Sequence, residues 1–78
     1  MVLNLISLDK IIYQGEVYSI TLPGADGQLT ILPHHIPLIT PLKKGKIKIK
    51  DIAEKEIFFE IEGGILEVKP EEVNILVS

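Results

Sequence analysis

His34 and His35 are the two histidines of this sequence, and they are adjacent. Imidazoles ligate metals and carry protons, but neighbouring residues of an extended chain point to opposite sides, which places the pair poorly for holding one ion between them. Nucleophilic catalysis has no better foundation: the chain has no cysteine, and Ser7, Ser19 and Ser78 sit in no recognisable nucleophile elbow with an activating base. Carboxylates are plentiful at Glu54, Glu56, Glu60, Glu62, Glu67, Glu71 and Glu72. Alternating along half-exposed strands, they read as solvated faces rather than an acid and base pair. Gly24 and Gly27 hint at a phosphate cradle, yet the third glycine, the Lys-Ser/Thr and the following helix are missing. The expectation is a protein with no catalytic residue, no cofactor and no metal.

The elements that carry these residues are more informative. From Leu22 to Leu42 the chain reads LPGADGQLTILPHHIPLITPL, placing a Pro-Gly turn and an Asp-Gly turn close together. Gly24 and Gly27 are expected to supply positive φ angles, with Pro23 fixing φ at the entry to the first turn. Leu29 and Ile31 then alternate with Gln28 and Thr30 as a half-buried strand. Pro33 and Pro37 cannot donate to a sheet ladder, so the residues between them must form an edge or leave the sheet. This segment is predicted to be rigid surface.

At 78 residues the chain is one domain near the lower limit for a single hydrophobic core. The lack of cysteine removes disulfide staples and agrees with a reducing compartment. No apolar run approaches the roughly 18 residues that cross a bilayer, and the first residues lack a signal peptide's basic start and cleavage site, so a soluble protein is expected. Net charge is −3 and all eight basic residues are Lys, which argues against nucleic-acid binding.

In chain order, the apolar parity of residues 2–8 flips between Leu5 and Ile6, implying a bulge or a strand buried on both faces. Asp9-Lys10 reads as a turn, and Ile11–Tyr13 as a short strand ended by Gln14-Gly15. Tyr18, Ile20 and Leu22 are expected to face the core. In Gly45–Lys50, Ile47 and Ile49 alternate with lysines, and Glu56–Glu62 repeats the design with glutamates. Pairing Ile49 with Ile57 and Ile47 with Phe59 sets Lys50 opposite Glu56 and Lys46 opposite Glu60 in a hairpin. Gly63-Gly64 turns a corner, Leu66 and Val68 make another strand, Pro70-Glu71 a turn, and Val73–Val77 the last strand. No stretch carries the helical apolar period, so the fold is all-β, a sandwich or barrel.

With these stretches read, the chain resembles the N-terminal domain of the epsilon subunit of F-type ATP synthases, called delta in mitochondria. The likeness runs nearly end to end, and rests most on the pattern from Gly24 to His35 with Pro37 after it, and on Gly63-Gly64-Ile65-Leu66-Glu67-Val68. The resemblance implies a flattened β-sandwich over residues 1–78, with two antiparallel sheets and roughly ten short strands. It also implies a non-catalytic rotor subunit that links the gamma subunit to the membrane-embedded, proton-driven rotor ring, peripheral to the cytoplasmic face of a bacterial plasma membrane.

The family's ring-facing loop falls on Ala25, Asp26, Gly27 and Gln28, and its gamma-facing surface on the segment His34, His35, Ile36 and Pro37. The structural turns are Gly24, Gly27, Gly63 and Gly64. Gln28 stands where relatives often carry Glu, leaving Asp26 to make any ion pair with the ring, and His34 stands where Gly is frequent. Family members continue into a pair of helices that restrain ATP hydrolysis. This sequence ends at Ser78, so no C-terminal helical hairpin is expected and that restraint is not carried over. A competing reading is a biotinyl or lipoyl carrier domain, which needs its modified lysine at a hairpin tip; Lys43 and Lys44 are the candidates.

Overall fold

A computed structural model describes residues 1–78. Eight strands and no helix make up the chain: β1 (Val2–Ile6), β2 (Ile11–Gly24), β3 (Gly27–Ile31), β4 (Leu38–Leu42), β5 (Gly45–Asp51), β6 (Glu56–Ile61), β7 (Gly64–Val68) and β8 (Glu72–Val77). One layer runs β4-β7-β8-β1 and ends on the first half of β2; the other runs β3, the second half of β2, β5 and β6. All pairings are antiparallel except β1 with β8. Those two strands are joined by no hairpin, and nothing forces them to run in opposite directions.

The core between the layers is wholly aliphatic. Fifteen buried residues form it, among them Leu3, Leu5, Val17, Ile20, Leu22, Ile31, Ile47, Ile49, Leu66 and Ile75, and no polar group is buried with them. The aromatic rings stay outside or at the rim. Tyr13 and Phe59 meet edge to face, with ring centroids 6.1 Å apart, and close one side of the core.

The β5–β6 register is the one the alternation predicts, with Ile49 opposite Ile57, Ile47 opposite Phe59, Lys50 opposite Glu56 and Lys46 opposite Glu60. The charges do not all pair straight across. Lys48 reaches the diagonal Glu56 at 3.8 Å, and the Lys46 ammonium lies 5.8 Å from the centre of the Phe58 ring, again a diagonal neighbour. The twist between neighbouring strands favours such diagonals. These pairs are exposed and contribute little to stability.

Strand β2 departs from expectation. Gln14-Gly15 does not end it; the strand continues for 14 residues and serves both layers. Two bulges interrupt it. Leu5 pairs with Tyr13 but Ile6 with Ile11, which leaves Ile12 unmatched at the position where the apolar parity flips. Val17 pairs with Asp51 but Ser19 with Lys50, which leaves Tyr18 unmatched. The extra residue turns the strand and reverses its inward face. Val17 therefore enters the core, and Tyr18, expected inside, is 52% exposed.

The glycines also act differently from expectation. Pro23 and Gly24 belong to β2 rather than to a turn of their own, and Gly24 does not have a positive φ. A Cβ on Gly24 would stand 2.7 Å from the Gly27 carbonyl oxygen and 3.0 Å from Leu29 Cδ1, so close approach of two strands is what requires glycine there. Gly64 is constrained in the same way, because a Cβ would press on the Leu76 carbonyl oxygen and come within 3.2 Å of Val77 Cα. At Gly63 the nearest atom is 3.5 Å away, an ordinary contact. We predict that Gly64→Ala destabilises the domain by about 2 kcal/mol while Gly63→Ala shifts it by less than about 1 kcal/mol, a difference that urea denaturation midpoints of the two variants measure.

Candidate functional site

The β2–β3 hairpin closes through Ala25 and Asp26, with Gly24 opposite Gly27. Both central residues keep an ordinary negative φ, and Gly27 takes the reversal at φ 134°. Ala25, Asp26 and Gln28 are exposed. The tip is braced from the side: the Ala25 amide donates to the Pro41 carbonyl at 3.1 Å and the Lys43 amide to the Pro23 carbonyl at 2.9 Å. The turn is a fixed projection rather than a loose loop.

The second predicted segment lies at the other end of the same strands. β3 leaves the tip and reaches Ile31, the chain crosses residues 32–37 outside any strand, and β4 returns to bring Leu42 beside Gly24. Five strand residues at about 3.3 Å each separate the two segments by roughly 15 Å. Within this link the Leu32 carbonyl accepts from the His35 amide at 3.2 Å, and His34 has φ 67°. Proline at the second position and positive φ at the third are the marks of a type II turn, a conformation that glycine would adopt at position 34 without strain. His34, Ile36 and Pro37 are exposed, and His35 is half-buried with Nδ1 donating to the Ile36 carbonyl at 2.7 Å. The two imidazoles converge on no common carboxylate, and no group of three metal-ligating side chains exists in the chain.

Register, rather than any single stretch, assembles a surface that the sequence does not show. Pro41 is opposite Ile65, Ile65 opposite Leu76, Leu76 beside Ile6, and Ile6 opposite Ile11. This apolar row crosses five strands on the outer face of the β4-β7-β8-β1-β2 layer. Ile11 is 60% exposed, Ile65 46% and Leu76 43%, and Leu8 projects almost fully from the turn after β1. Four strand spacings of about 4.8 Å give the row a length of roughly 19 Å.

Alongside it runs a polar row that is already hydrogen-bonded. Gln14 Nε2 donates to Asn4 Oδ1 at 2.7 Å, Asn4 Nδ2 to Asn74 Oδ1 at 2.9 Å, and Asn74 Nδ2 to Glu67 Oε1 at 3.2 Å. The ladder pins the register of the parallel β1–β8 pair. It leaves the apolar row as the part of this face that gains most from being covered.

The carrier reading finds no support in the geometry. Lys43 and Lys44 lie in the connection from β4 to β5, strands that do not pair with one another, so neither lysine stands at a hairpin tip.

The chain is an all-β sandwich with a braced projecting turn and an apolar outer row. The family model described as the ATP synthase delta/epsilon chain β-sandwich domain matches residues 1–78, and the chain belongs to that family. It is 33% identical to the ATP synthase epsilon chain of Brevibacillus brevis over 97% of its own length and 58% of that chain. It is 43% identical to the epsilon chain of Xanthomonas euvesicatoria over 96% of its own length and 54% of that chain. The chain thus spans about half the length of the relatives it matches. Its fold superposes with a TM-score of 0.93 on a chain of the Euglena gracilis mitochondrial ATP synthase OSCP/F1/c-ring structure, at 25% identity, covering 99% of this chain and 49% of that one. A chain of the Tetrahymena thermophila mitochondrial ATP synthase central stalk and c-ring shares the fold at a TM-score of 0.81 and 21% identity, over 99% and 62% of the two chains.

The turn at His34 yields a direct expectation. A β-branched residue fits a positive φ poorly and glycine fits it freely. His34→Val is expected to lower the midpoint of thermal unfolding relative to His34→Gly, by a stability difference of about 1 kcal/mol or more.

Proposed function

We propose that this domain is a non-catalytic part of the central stalk of a proton-translocating ATP synthase, covered on its outer face by the gamma subunit and resting on the membrane rotor ring through its β2–β3 tip. The observation that carries the reading is the uninterrupted apolar row Pro41–Ile65–Leu76–Ile6–Ile11 on a domain of this family. Side chains of this kind are costly to leave in water, at about 25 cal/mol per Å² of apolar surface, and a row spanning a whole layer marks a protein-binding face.

The gamma surface extends from this row into the segment His34, His35, Ile36 and Pro37, which adjoins β4. Ala25, Asp26, Gly27 and Gln28 contact the ring, and Asp26 carries the charge that Gln28 lacks. Force enters at one end of β3 and β4 and leaves along the layer that contains β4. The task of the domain is stiffness, which a single aliphatic core with one strand common to both layers supplies. In a bacterium this places the chain at the cytoplasmic face of the plasma membrane, held there through the complex. No helix in the chain is long and apolar enough to cross a bilayer.

Two measurements test the halves separately. Ile65→Glu with Leu76→Glu should weaken binding to purified gamma subunit at least about tenfold, since burying either side chain is worth roughly 1.5–3 kcal/mol, while leaving the circular dichroism spectrum unchanged. Undiminished binding by the folded variant would contradict the gamma assignment. Asp26→Arg with Gln28→Arg, in a reconstituted complex, should lower proton-driven ATP synthesis and leave ATP hydrolysis by the detached head unaffected; full coupling would contradict the ring assignment.

A further inference from the structure

The β2–β3 tip does not stand alone. Gly24 pairs with Leu42, and the two backbone bonds Ala25 to Pro41 and Lys43 to Pro23 fasten the tip to the end of β4 and the start of the β4–β5 connection. A Cβ on Gly45 would come within 2.9 Å of the Pro23 ring, so the glycine there lets the connection lie directly against the strand that carries the tip. Whatever meets Ala25 and Asp26 therefore meets a platform of two loops.

The two loops carry opposite charges that nothing in the domain uses. Of the five lysines in the connection and β5, Lys44, Lys48 and Lys50 each lie within 4 Å of a glutamate, at 3.9, 3.8 and 3.9 Å, and Lys46 lies over the Phe58 ring. Exposed Lys43 has no carboxylate within that range, and exposed Asp26 has no cation and accepts no side-chain hydrogen bond. They do not pair with each other either, although their loops are joined by backbone bonds.

We propose that Lys43 is a second docking residue beside Asp26, and that the protein surface resting on this end presents an acidic side chain to Lys43 as well as a basic one to Asp26. This rests on the ring-docking reading given above and deepens it. A cation and an anion held on one rigid platform set both register and orientation, because a partner displaced or turned would bring like charges together. The same pattern selects a protein over a lipid surface. An anionic headgroup layer attracts a lysine by about 1 kcal/mol and repels Asp26 in return, leaving little net attraction.

The test uses the full-length subunit assembled in its complex, with benzoylphenylalanine placed singly at positions 26 and 43. Both positions should capture the same ring polypeptide on irradiation. In parallel, Lys43→Glu should weaken docking of the stalk on the ring about threefold to tenfold at low salt, an effect that Lys43→Arg does not produce and that high salt reduces. Capture of the ring from position 26 together with capture of lipid, of another protein or of nothing from position 43 would overturn the proposal and leave the ring-docking reading standing. So would full docking by Lys43→Glu. Failure of position 26 itself to capture the ring would bring down both.

Discussion

Everything else in the molecule depends on β2 belonging to two sheets. A strand that stayed in one layer would leave two small sheets held together by side-chain contact alone, a weak arrangement for 78 residues with no disulfide. The covalent continuity of Ile11–Gly24 joins the layers, and the unmatched residue Tyr18 lies next to the point where β2 exchanges β1 for β5. Because the bulge at Tyr18 reverses the inward face, Val17 and Ile20 both enter the core. An aliphatic interior of interlocked Leu, Ile and Val then fills the space at a density that resists shear.

That rigidity gives the surface features their meaning. The tip at Ala25–Asp26 and the turn at His34 are separated by the length of β3 and β4, and both are locked by backbone hydrogen bonds rather than by long flexible side chains. The outer face of one layer divides into a satisfied polar ladder and an unsatisfied apolar row. In the proposed role, a body of this kind sets a distance and an orientation between two contacts.

Much of this was legible in the sequence, and the limits have physical causes. Alternation plus opposite charges gives the β5–β6 register at once, because a slip of one residue would put every isoleucine in water. The flip at Leu5–Ile6 falls where the β1–β2 register shifts, but the extra residue is Ile12 on β2, and Ile6 simply faces outward in a strand that alternates regularly. Strict alternation misplaces Tyr18, because a bulge of one residue leaves no mark on composition and the pattern extrapolates through it. Sequence alone suggests a φ requirement at Gly24, whereas a strand passing close by is the reason for glycine there. The His34 turn is absent from the sequence reading, which takes Pro33 only as a reason for leaving the sheet, although its ring suits the second position of a type II turn. The apolar row could not be seen at all. Its five residues come from five strands, and only the pairing of β1 with β8, two strands from opposite ends of the chain, brings them into line.

A rigid spacer with its outer apolar row covered should be visible by electron cryo-microscopy of the assembled complex containing this chain. The 78-residue sandwich should be unchanged in backbone, with Ile65, Leu76 and Ile11 under gamma-subunit density and residues 25–28 over the ring. A map in which that row faces solvent, or in which the two layers have moved relative to one another, would contradict it.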